Sequence, residues 1–189
     1  MAADCQLAGK SFQGDGMPVF RGTQGLWKNY PALRSNLTGF DDFITEDYFK
    51  NEPKKFWYVW GDVLNRHKMA KPHLGYQKLS EIIDLSGKRD KYFVYHSGVD
   101  KFYMRSSPEG ESYFSDERYL QAKGSIADFQ CKTCNKLELD VDKKIPLMKI
   151  DLIKGEAEKI PVCSTCKNDV RPNINFRTDL GRIEAHGQD

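Results

Sequence analysis

Apolar positions recur at spacings of three and four through Phe56, Val59, Trp60, Val63 and Leu64. That is the period of an α-helix with one buried stripe. The helical pattern opens at Thr45, and Pro53 suits a first helical turn, where the missing amide hydrogen is not needed. The run FWYVW, Phe56 to Trp60, therefore reads as core rather than as an exposed binding platform. A second helix is predicted from near Pro72, carrying Leu79, Ile82 and Ile83 and stopping at Gly87. KYFVYHS, Lys91 to Ser97, follows a turn and is dense in aromatic and β-branched residues, which predicts a buried strand. His96 on that strand reads as a packed histidine rather than a ligand. Beyond Cys134, KLELDVD alternates apolar and polar, and LMKIDLIKG does so again. Lys143 to Pro146 separates the two, predicting a β-hairpin. RPNINF, ending at Phe176, reads as a last short strand, while the first 30 residues are glycine-rich and turn-like.

Composition narrows the class. At 189 residues, 39% of them hydrophobic, the chain can bury the core of one ordinary domain or of two small modules. Basic and acidic residues nearly balance, 29 against 27, so no long-range field favours a nucleic acid. Lys132, Lys136, Lys143, Lys144 and Lys149 do cluster locally, but Glu138, Asp140, Asp142 and Asp151 interleave with them. A solvated face is the reading there, and nucleic acid is not expected as a direct ligand. No apolar run approaches the roughly 20 residues of a membrane span. The opening MAADCQLAGK lacks the marks of a secretory or mitochondrial leader, so an intracellular, cytoplasmic protein is expected, with an organelle left open.

Cysteine spacing carries the first specific chemistry. Cys131 and Cys134 form one C-x2-C pair, Cys163 and Cys166 a second, and Cys5 stands alone. Two intervening residues let both thiolates of a knuckle face one ion, and two knuckles complete a tetrahedron. Four sulfurs leave no open position for water, so a zinc held there is structural. The plainer alternative is a set of four buried or redox cysteines. Loss of such a metal should unfold its module, because binding and folding are coupled.

Several segments then line up in one order. GMPVFRG and GLW, between Gly16 and Trp27, resemble the Gly-Ile-Pro-x-Phe-Arg loop of the sirtuins, the NAD-dependent protein deacylases. AKPHLGYQKL (Ala70 to Leu79) resembles the helix that follows in that family. VYHSGVDKF (Val94 to Phe102) resembles its strand and Asn-x-Asp loop, and KGSIADFQCKTC its His-Gly-Ser segment running into the first zinc knuckle. IPVCSTCKNDVRPNINF resembles the second knuckle and the Arg-Pro-Asn strand, so the likeness runs from about Ala8 to Phe176. It implies an α/β fold: a partial Rossmann-type sheet, a helical module over residues 30–90 and a four-cysteine zinc-ribbon hairpin module over 128–170, all in one domain spanning 1–189. It also implies NAD in the cleft between modules, an acyl oxygen displacing nicotinamide, and a histidine base acting on a ribose hydroxyl.

The same resemblance exposes departures. The family's catalytic histidine falls at Lys123; an imidazole titrates near ~6.5 and a lysine near ~10.4, so a solvated or salt-bridged lysine is the expectation there. The asparagine of Asn-x-Asp falls at Gly98, while Asp100 remains. Lys101 and Phe102 stand where the resemblance implies glycine and histidine, crowding the cofactor's place. The glycine-rich phosphate turn aligns with Ala8 to Phe12, with side chains at both glycine positions. The chain ends 16 residues after Asn173, before the second half of the family's sheet, leaving the expected crevice one wall and an open strand edge. The expectation is a degenerate, non-catalytic sirtuin-like protein: structural zinc on Cys131, Cys134, Cys163 and Cys166, no NAD, and a role as an accessory subunit bound to other protein subunits of a multi-chain assembly. Phe20, Arg21, Ser97, Asp100 and Lys123 would be a vestigial pocket. The alternative is residual NAD or ADP-ribose binding, or a deacylase completed by a partner chain.

Overall fold

The computed structural model describes residues 14–17, 26–33, 40–107, 109, 111–176 and 181–183. Five α-helices appear among them: α1 Phe40–Phe43, α2 Glu46–Asn51, α3 Pro53–Met69, α4 Gly75–Leu85 and α5 Val141–Lys144. The strands are β1 Val94–His96, β2 Tyr119–Gln121, β3 Gly124–Cys131, β4 Leu137–Glu138, β5 Ile150–Asp151, β6 Glu156–Ala157 and β7 Val170–Ile174. None of these helices is long and apolar enough to cross a membrane.

The helical expectations hold, with one enlargement. Thr45 caps α2, its Oγ1 accepting from Tyr48 N at 3.1 Å, and Glu46 and Asp47 sit in the first turn, where the helix dipole favours acids. In α3 the predicted stripe broadens, because Trp57 and Tyr58 are buried as well as Phe56, Val59, Trp60, Val63 and Leu64. The reason is enclosure on two sides. Toward the sheet, Trp57 Nε1 donates to Val170 O of β7 at 3.1 Å, and its ring lies 5.0 Å from Phe129 of β3. Toward the segment after α5, Asn65 exchanges two 2.8 Å hydrogen bonds with the backbone of Met148. A Cβ at Gly61 would stand 3.1 Å from Met148 Sδ, tighter than ordinary contact, so the glycine gives the Met148 side chain room against the helix.

β1 and β2 pair in parallel, Val94 opposite Tyr119 and His96 opposite Gln121, as a Rossmann-type crossover requires. The strand over 91–97 is shorter than predicted and is not buried: Phe93 and Tyr95 are exposed and only His96 is enclosed. β1 has a partner on one side only among the described residues, so its other edge is open.

The predicted hairpin between the cysteine pairs is also corrected. β4 pairs with β3, not with the later segment, and β5 pairs with β6. Between them Asp140 adopts a left-handed φ of 51° and the chain turns into α5, burying Val141 and Asp142. Asp142 is drawn in by Arg105, whose Nη2 donates to it at 3.0 Å. A distant ion pair thus overrides the local alternation of KLELDVD.

β3 is buried along its length and runs antiparallel to β7, with a shift of register between Ser125 and Phe129. Arg171 of β7 is fully buried, its Nε 3.2 Å from Glu46 Oε2 and its guanidinium 4.0 Å from the centre of the Phe176 ring. That pair ties α2 to the sheet. At the top of β3, Gly124 has φ +77°, and a Cβ there would lie 2.0 Å from Asn173 O. No other residue fits that crossing.

Candidate metal centre and remodelled cleft

The β3–β4 turn carries Cys131 and Cys134, and the turn before β7 carries Cys163 and Cys166. Four sulfurs each about 2.3 Å from one zinc would be about 3.8 Å apart. Here Cys131 Sγ lies 3.4 Å from Cys166 Sγ, Cys134 Sγ lies 3.6 Å from Cys163 Sγ, and all four fall within 4.8 Å of one another. The donor set and its spacing fit a tetrahedral zinc with no open position, as the spacing predicted. Each knuckle closes in the same way, with a left-handed residue directly after its second cysteine: Asn135 at φ 55° and Lys167 at φ 63°. That turn aims donors at sulfur; Thr165 N and Asn168 Nδ2 each approach a thiol sulfur at 3.4 Å.

These donors set the metal-free thiols apart. Asn168, through its side chain and its amide, holds the Cys166 thiol down to about 6, and backbone amides lower Cys163. Cys134 moves the other way, to about 12: the Lys136 amide favours its thiolate, but burial and the neighbouring thiols outweigh it. A divalent ion overrides such differences, since a coordinating thiol is deprotonated outright.

Above the ribbon lies the loop after β1. His96 Nε2 is 3.3 Å from Asp100 Oδ2 without the alignment of a hydrogen bond, and Phe102 N donates to Asp100 Oδ1 at 3.1 Å. Burial opposes the charge on Asp100, yet His96 and the Phe102 amide hold its carboxyl below the usual range. Lys101 Nζ bridges Asp128 Oδ1 at 2.7 Å and Asp140 Oδ1 at 2.9 Å. Asp128 sits where the β3–β7 register slips, a place where bulges commonly re-aim a side chain. Arg105 Nη2 binds Asp140 at 2.6 Å, and the same guanidinium reaches Asp142, which His67 Nδ1 approaches at 3.3 Å. His67 Nε2 accepts from Lys101 N at 3.2 Å, so the ring proton belongs on Nδ1, facing Asp142. Burial works against Asp142, but His67 and Arg105 hold its carboxyl far below the ordinary value. The cleft loop is thereby laced to the ribbon's insert by ion pairs.

The comparisons with known proteins agree in one direction. The family model named Sir2 family matches residues 8–181. The chain belongs to the Sir2 family. It is 24% identical to an NAD-dependent protein deacetylase of Thermotoga maritima over 85% of its own length and 54% of that protein. To an NAD-dependent protein deacylase of Candida albicans it is 30% identical, over 64% of this chain and 35% of the relative. A solved Sir2 homologue in complex with NAD superposes with a TM-score of 0.60 at 17% identity, covering 92% of this chain and 55% of that one. A mutant Sir2 homologue bound to 2'-O-acetyl ADP ribose gives 0.63 at 19%, over 89% and 56%. The chain thus spans about half the length of the curated relatives it matches.

Phe20, Arg21 and the glycine-turn positions Ala8 to Phe12 lie outside the described residues. Ser97 and Lys123 are both exposed; Asp100 is buried. At Gly98, the asparagine position, a Cβ would stand 2.5 Å from His96 Cε1 and 2.8 Å from Asp100 Oδ2. Those two side chains fill the space an asparagine amide would need. The sequence marks Lys101 as bulky but gives no sign of its partners. Nothing local marks Asp128, Asp140 or Arg105 as belonging together, since they meet across 27 to 39 residues of chain.

Proposed function

We propose that this chain is a non-catalytic Sir2-family module, braced by a structural zinc and serving as an accessory subunit of a larger protein assembly. The occupied space at Gly98 carries the reading. With His96 and Asp100 in contact range of any Cβ there, the ribose-side amide of the family has no place, and Asp100 is engaged within the protein. The residues present do not fit NAD at that end of the cleft. Two features support the same reading: an exposed lysine at the base position, and Lys101 committed to two carboxylates. The accessory role draws support from β1, where Phe93 and Tyr95 are 62% and 66% exposed beside a strand edge that has no partner among the described residues. Surfaces of that kind favour pairing with another chain.

The test is a calorimetric titration of the zinc-loaded chain with NAD and with ADP-ribose, alongside an acyl-lysine peptide assay. At physiological salt, no heat with either nucleotide and no NAD-dependent product are expected. Micromolar binding of either nucleotide, or turnover, would defeat the proposal in favour of a residual binding module completed by a partner chain. Isolation of the native protein should in turn recover it with stoichiometric partner chains; recovery as a well-folded monomer would remove the subunit role.

A further inference from the structure

A second cleft, of about 610 Å³, opens between the end of α3, the start of α4 and the turn that follows Lys101. We propose that it is a binding site for a small phosphorylated ligand of about mononucleotide size. Four cations line it, Lys68, Lys71, Arg105 and Lys143, against one carboxylate, Asp142. That carboxylate is neutralised by Arg105, which donates to it through both Nη1 and Nη2. Lys68 donates to Ile145 O and Arg105 is held by Asp140 and Asp142, so these two are fixed in place as part of the wall. Lys71 and Lys143 are exposed and have no partner among the described residues. They are the cations available to an incoming anion.

α4 starts at the same cleft, with Leu74 and Gln77 in the wall, but its first amides are already engaged: Gly75 N donates to His73 Nδ1 at 2.9 Å and Tyr76 N to His73 O at 3.3 Å, so the side-chain cations carry the site. Depth comes from the His67 and Phe102 rings, stacked 4.8 Å apart. The volume falls within the usual range for small-ligand pockets.

A neighbouring cleft of about 410 Å³ provides the contrast. It is lined by Asp116, Glu117 and Asp128 against Lys101 and Arg182, the opposite balance. An anion should choose the first cleft, and it does so whether or not the chain has any catalytic activity.

Titrating the zinc-loaded full chain with AMP and with inorganic phosphate at low salt tests this. Sub-millimolar AMP binding is expected, weaker binding of phosphate, and loss of both as salt is added. Lys71→Glu and Lys143→Glu, at exposed positions that should leave folding intact, are each expected to weaken AMP binding by about tenfold. Lys159→Glu, an exposed change on the ribbon insert, should leave it unaltered. The proposal is overturned if neither probe binds at millimolar concentration, if both cleft reversals leave affinity unchanged, or if Lys159→Glu weakens binding as much as they do.

Discussion

The ribbon and the loop above it are held by different physics. In the ribbon, four identical donors converge to within 4.8 Å from two short turns, and each turn solves its own geometry locally. Around the loop, Lys101, Arg105 and His67 of α3 reach carboxylates 27 to 75 residues away, and each contact depends on several elements being in place. The ribbon carries the four cysteines that the Sir2 resemblance implies, whereas in the loop Gly98 and Lys101 stand where that resemblance implies an asparagine and a glycine. The four sulfurs are set by their own two turns, so their placement does not require any one residue in the loop beside them.

The largest effect should come from the clamp itself. Structural zinc sites of this kind contribute about 10–16 kcal/mol of apparent binding energy near neutral pH. Cys163→Ser, or exhaustive chelation, should therefore abolish the cooperative thermal transition, read by circular dichroism against zinc content. Retention of a sharp transition without metal would show that the loop's ion pairs hold the ribbon, reversing the comparison.

Next is the restored family residue. Gly98→Asn should lower stability by about 1–3 kcal/mol, the usual penalty for inserting atoms into a filled site. Adding His96→Ala should recover part of that loss, since the two side chains compete for one space; a double-mutant cycle in denaturant measures the coupling. If Gly98→Asn is neutral, the cleft has more room than its packing indicates.

Lys101→Met probes the ion pairs directly and should cost about 1–3 kcal/mol at neutral pH, because Asp128 and Asp140 then face each other without their shared cation. The pH dependence has a definite sign. Lys101 and Arg105 hold the Asp140 carboxyl below its ordinary value, against the burial that raises it. A carboxyl with a depressed folded pKa adds stability above its unfolded value near ~3.9 and loses it as the pH falls through the folded value. The gap between wild type and Lys101→Met should therefore be widest near neutrality and close as acid protonates Asp140. Both proteins carry the same ribbon, so the difference between their acid transitions isolates the loop.

The smallest effect sharpens the ribbon side. Lys167 adopts the left-handed conformation that Asn135 takes in the other knuckle. Lys167→Asn should stabilise the holo protein by about 0.5–1 kcal/mol, because asparagine tolerates that backbone better. A lower midpoint of unfolding would mean that the lysine side chain contributes more than its backbone strain removes.

Much of this molecule was legible from residue order. Helix α3 announced itself through a 3.6-residue period and a proline at its start, and the metal centre through two CxxC pairs, because both signals are local and repeat within a turn or two of chain. Alternation alone misled at KLELDVD, where the period of a strand was present but the carboxylate of Asp142 was pulled into a helix by Arg105 and His67. KYFVYHS misled on burial for a related reason: aromatic density predicts a strand but says nothing of which neighbours cover it.

The sequence by itself therefore marked the helical core and the four cysteines that converge, both set by short-range spacing that survives without knowledge of contacts, and through its ordered motifs the family. The resemblance also marked Gly98 and Lys101 as positions to examine, but not what surrounds them. Only the tertiary structure decided that His96 and Asp100 fill the vacated space, that Lys101 bridges β3 to the ribbon insert, and that cations from α3, the α3–α4 connection, the cleft loop and α5 line one cleft. Charge and volume are summed in space, over groups that the chain keeps far apart.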